Sequence, residues 1–108
     1  MVDTLGPLAQ IFRLNTRLFL NAIADLDEVD ATARPNLHTN SVAFIAGHLV
    51  ESRSWMGRFL GADTPAPFGG ALEHAVGIEQ IKNMPKLVEI RGAWQSVSER
   101  VDERLERL

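Results

Sequence analysis

Leu87, Ile90, Trp94, Val97, Val101, Leu105 and Leu108 follow one another at steps of three or four residues. Only an α-helix brings such positions onto one face, so the last third of the chain is a helix with a continuous apolar stripe. Pro85 suits its opening turn, where a missing N–H costs nothing, and Asn83 or Met84 is placed to cap it. The opposite face is charged, with Arg100 able to pair with Glu103 and Glu103 with Arg107, and is expected to be solvated.

Two further segments share this period. In the first, Pro7 opens a helix over about 7–26, in which Leu8, Ile11, Phe12, Leu18, Phe19, Ala22, Ile23 and Leu26 recur at helical spacing and Arg13 and Arg17 fall opposite. Asn15 lies one heptad from both Leu8 and Ala22. It therefore sits on the apolar seam, where burial would require hydrogen-bond partners. The second helix is expected over about 41–60, capped by Asn40 or Ser41 and closed by Gly61. Its stripe reads Val42, Ile45, Leu49, Ser52, Met56 and Phe59, flanked by Phe44, His48, Trp55 and Leu60. The third helix occupies about 85–108.

The segments between them are connectors. Residues 25–39 are rich in Asp, Thr, Asn and Pro, with Pro35 turning Arg34 away from helix. Residues 62–83 hold Pro65, Pro67, Gly69, Gly70 and Gly77, and have room for a short turn of helix from about Leu72 to Val76. That length is unusual in a compact domain and points to a segment covering something.

Helices of these lengths span about 30 to 36 Å and suit side-by-side, antiparallel packing. The expectation is one all-α domain over 1–108, an up-and-down helical bundle of three long helices. The apolar stripe of the third continues to Leu108 without a stop signal, which points to a four-helix bundle lacking or borrowing its last helix. A stripe left open would favour self-association.

Composition narrows the function classes. Acidic residues outnumber basic ones, 14 to 11, with no basic block, so nucleic acid is not an expected partner. The apolar runs are short and interrupted, so no membrane span is expected. Met1-Val2-Asp3-Thr4 has neither the basic region nor the apolar core of a signal peptide, which makes the cytoplasm the expected compartment. The absence of cysteine removes disulfides, thiolate ligands and cysteine nucleophiles together.

Chemistry then falls to the three histidines, His38, His48 and His74. No paired-histidine helix spacing occurs, so spacing alone identifies no self-contained metal motif. His48 is the strongest candidate, since it borders the core face of its helix beside Gly47. A glycine within a helix costs about 1 kcal/mol against alanine and implies a close neighbour or a ligand. His48 is then either a satisfied core imidazole or a metal ligand, with Glu51 one turn on as second ligand or supporting acceptor. No serine lies in a nucleophile elbow, and Gly69-Gly70 alone is a turn signal. Trp55 and Trp94 read as packing residues rather than a stacking platform.

The run Asn40-Ser41-Val42-Ala43-Phe44-Ile45-Ala46-Gly47-His48-Leu49-Val50-Glu51-Ser52-Arg53, followed by Trp55 and Leu60-Gly61, resembles the second helix of the DinB-like (DinB/YfiT) superfamily. The order of the remaining segments is similar as well. The resemblance implies a four-helix bundle, usually dimeric, holding a divalent metal, commonly zinc or nickel, on three histidines. One of these corresponds to His48. The other two belong to an HxxxH motif on a fourth helix, which these 108 residues do not contain. Members with known activity are thiol-dependent transferases or isomerases that use small-molecule thiols. On that implication His48 is a metal ligand, with Asn15 and Glu51 lining or bracing the pocket, and a homodimer is the expected assembly. The alternative is a non-catalytic helical interaction or dimerisation module with a vestigial metal site.

Overall fold

The computed structural model describes residues 6–34, 41–74 and 84–108. In chain order its helices are α1 (Gly6–Ile23), α2 (Glu28–Thr32), α3 (Val42–Phe59), α4 (Ala71–His74) and α5 (Leu87–Glu106). The described residues contain no strand, and the all-α expectation holds.

The helix ends follow local chemistry. Ser41 caps α3 by accepting the N–H of Phe44 on its Oγ at 3.2 Å. At the other end Gly61 takes a φ of +92°. The Ala62 N–H then reaches Gly57 O at 2.8 Å and the Gly61 N–H reaches Arg58 O at 3.0 Å, the paired bonds of a Schellman close. The first turn of α5 is closed from a distance. Glu28, at the start of α2, accepts the Leu87 N–H on both carboxylate oxygens, at 2.8 and 3.0 Å. Lys86 occupies the N-cap position of α5, two residues past the expected Met84; Asn83 lies outside the described residues.

Cross-helix contacts define the topology. Arg13 of α1 bonds Asp102 and Glu106 near the end of α5, while Arg91 near its start donates to Ile23 O, so α1 and α5 run antiparallel. Helix α3 runs the other way: its early Ala43 and Ala46 pack with Leu87 and Ile90, and Leu60 just beyond its end accepts from Arg104 Nε at 2.7 Å. Thus α3 and α5 are parallel. Parallel neighbours need a connection that travels back the length of a helix, about 27 Å for 18 residues, which is why the connector after α3 is long.

The stripe of α5 is buried as expected, from Leu87 through Leu105, and Leu108 packs beside the Phe12, Val97, Val101 and Leu105 cluster. The stripe assigned to the second helix is turned the other way. Val42, Ile45, Leu49 and Phe59 are exposed, and the buried face consists of Ala43, Phe44, Ala46, Gly47, Val50, Glu51, Ser54 and Gly57. Small residues allow close helix approach. A Cβ on Gly57 would overlap Thr64 Oγ1 and stand 2.9 Å from Val101 Cγ2. The expected stripe of the first helix is split: Phe12 and Ile23 are buried with Ala9, and Phe19 and Leu26 pack against the core, while Leu8, Ile11 and Leu18, with Leu14, are exposed. Asn15 shares that open seam and is exposed, so it needs no buried partner. The uncovered apolar surface therefore belongs to α1 and α3 rather than to α5. Arg100, expected to pair along its own helix, turns instead to the carbonyl of Asp63 at 2.8 Å.

Candidate functional site

His48 stands at the middle of α3, half-buried, with its ring parallel to that of Phe44 at 6.3 Å. Its Nδ1 lies 2.6 Å from the carbonyl oxygen of Leu72 in α4. A carbonyl only accepts, so Nδ1 carries the proton, and in the neutral ring Nε2 then holds the lone pair. Among the described residues Nε2 has no hydrogen-bond partner, and it is not a buried unsatisfied atom. A ring fastened at one nitrogen and open at the other is how proteins present an imidazole to a metal or a proton.

Gly47 owes its place to the same contact. A Cβ there would stand 2.7 Å from Leu72 Cδ1, so the glycine allows Leu72 to settle on the helix. Of the two explanations open from the sequence, close packing of a neighbour is the one found.

Glu51 is fully buried, one turn beyond His48. Its Oε2 accepts the N–H groups of Phe68 at 3.1 Å and Gly70 at 2.9 Å, and its Oε1 accepts that of Leu72 at 2.8 Å. Alternate N–H groups can converge on one carboxylate because Gly69 and Gly70 take φ of +72° and +85°, a conformation costly for other residues. The connector is also tied further back: Thr64 Oγ1 donates to Ser54 O at 2.8 Å, and Arg58 donates to Thr64 O at 2.9 Å. From Thr64 to Leu72 the chain thus lies as a strap along α3, running from its end back to His48.

Among the described residues no three His, Cys, Asp or Glu side chains are grouped to hold a metal ion. His38 and the side chain of His74 lie outside them.

The Arg53 guanidinium occupies a second polar position that the sequence reading passed over. It stacks on Phe12 at 4.1 Å and on Trp94 at 3.8 Å, and its Nη1 donates to Thr16 Oγ1 at 2.7 Å and Ser98 Oγ at 3.0 Å. Burial pushes its pKa down to about 10, so it stays cationic at neutral pH. Its partners all come from the other two long helices, so no local spacing in the sequence marked it. A groove of about 350 Å³ between α1 and α5, lined by Phe12, Arg13, Thr16, Ser98, Glu99 and Asp102, shares no residue with the His48 site.

The family model described as the DinB superfamily matches residues 11–108. The chain belongs to the DinB superfamily. No curated protein and no solved structure gave a match. Membership accords with an all-α bundle whose second long helix carries Gly47-His48-Leu49. No helix among the described residues of this DinB protein is long and apolar enough to cross a membrane.

Proposed function

We propose that this DinB protein binds a divalent metal, zinc or nickel, through Nε2 of His48, and serves a thiol-dependent transferase or isomerase reaction in the cytoplasm. One observation supports the reading: the Nδ1 proton is committed to Leu72 O, which leaves the Nε2 lone pair without a partner among the described residues. The described residues offer such an ion one correctly presented ligand rather than a complete set. When bound, the ion would act as a Lewis acid that lowers the pKa of a coordinated small-molecule thiol. The chain's own work is orientation. Leu72 O fixes the ring, Gly47 admits Leu72, and Glu51 holds the strap.

Calorimetric titration of the metal-free protein with zinc and nickel tests this reading. Wild type is expected to bind at least about tenfold more tightly than His48→Ala, the scale seen when support at a metal site is lost. Equal affinities would remove His48 from the site.

A second reading is favoured by the open apolar face. Leu8, Ile11 and Leu18 on α1 and Ile45 and Leu49 on α3 are each close to half exposed or more, an arrangement that monomers rarely leave uncovered. On this reading the chain is a homodimerisation module, and the face is its interface. Light scattering distinguishes it: a dimer that Leu18→Glu with Ile45→Glu converts to monomer supports it, and a wild-type monomer overturns it.

A further inference from the structure

We propose that Glu51 is a positioning residue for His48, acting through the backbone of the strap to set which imidazole nitrogen carries the proton. The inference rests on the reading of His48 as a donor through Nε2. Its chain of contacts is short. The carboxylate takes the N–H groups of Phe68, Gly70 and Leu72, and the carbonyl of Leu72 takes the Nδ1–H of His48.

Each link requires its own chemistry. Three N–H donors converging on two oxygens demand an acceptor-only group, which among side chains is a carboxylate. A glutamine would turn two donors of its own toward the strap, and an aspartate would fall one methylene short. Leu72 is held from both sides, its N–H by Glu51 and its side chain against Gly47, so its carbonyl stays in line with the imidazole. Without that acceptor nothing in the described surroundings commits the proton to Nδ1, and it can move to Nε2, where it blocks the lone pair. The strap is thus part of the site, and Glu51 governs the histidine without touching it.

The test is long-range proton–nitrogen NMR on metal-free protein, at a pH where an ordinary imidazole is neutral. Wild-type His48 is expected as the Nδ1–H tautomer. Glu51→Gln is expected to shift it toward Nε2–H and to weaken zinc binding about tenfold or more. Thr64→Val, which loses the tie to Ser54 O and leaves the segment at 68–72 intact, should keep the wild-type tautomer. Should Glu51→Gln fail to fold, Gly69→Ala serves instead. Its Cβ meets open space, so it loosens the same turn through backbone strain alone. Amide protection at Phe68, Gly70 and Leu72 should then fall together with a rise in the Nε2–H signal. A folded Glu51→Gln, or a loosened Gly69→Ala, that keeps the Nδ1–H tautomer overturns the proposal. Because tautomers are read without metal, this outcome is separate from wild type binding no metal, which overturns the metal reading alone.

Discussion

The guanidinium carbon of Arg53 sits 3.8 Å from the ring centre of Trp94, with Phe12 also in contact at 4.1 Å. One residue of α3 thereby joins α1 and α5. A cation on an aromatic face is worth about 2 kcal/mol when desolvated. Arg53→Ala should lower unfolding stability by about 2 to 3 kcal/mol. Arg53→Met, which keeps apolar bulk between the rings, should recover at least half of that loss. Urea denaturation of the three proteins measures it, and an Arg53→Ala midpoint equal to wild type would remove the seat from any stabilising role.

The same residue predicts an alkaline dependence. Its folded pKa is lowered to about 10, below the ordinary guanidinium value, so between the two the unfolded chain holds more protons than the folded one. Stability from this group therefore rises with pH across that window, as the folded state sheds a charge it solvates poorly. The chain has no tyrosine or cysteine and only Lys82 and Lys86 among lysines, so little else titrates there. Wild type should gain on Arg53→Met as pH rises from about 9 to about 11. A flat difference would contradict the prediction.

Gly57 is placed where α3, α5 and the strap meet. Gly57→Ala gains about 1 kcal/mol in helix propensity but drives a methyl into Thr64 and Val101. Overpacking costs about 1 to 3 kcal/mol, so a net loss near 1 kcal/mol and a melting temperature lower by about 4 to 8 °C are expected. A higher melting temperature would show that the helices separate easily at this point.

Glu28 caps α5 across 59 positions of sequence. Glu28→Gln retains one acceptor and should cost little, whereas Glu28→Ala leaves the Leu87 N–H without its partner and should cost about 1 kcal/mol. Amide exchange at Leu87 reports the loss directly. Protection unchanged in Glu28→Ala would mean that another group closes the helix.

What could be read from the residues depended on side-chain size. The α5 stripe was legible because its buried residues are large and its exposed ones charged. On α3 the rule failed, since Val42, Ile45 and Leu49 outweigh Ala43, Ala46 and Gly47 in hydrophobicity, yet only the small residues let α5 approach. Helical period located the seam of Asn15 but could not say whether that seam faced the core. His48 was found from its place in the Gly-His-Leu run. Its acceptor, 24 residues away in a connector, had no local signature. The burial of Glu51 was hidden for the same reason, because its partners are backbone N–H groups that any sequence supplies.

The strap between Thr64 and Leu72 also acts as a ruler. Surface connectors ordinarily accept insertions and deletions at little cost. This one is anchored at Ser54, again at Glu51, and ends on the carbonyl that meets His48. Adding or removing one residue inside it would offer the imidazole an N–H or a side chain in place of an oxygen. The number of residues in that stretch is therefore as much a part of the site as the histidine.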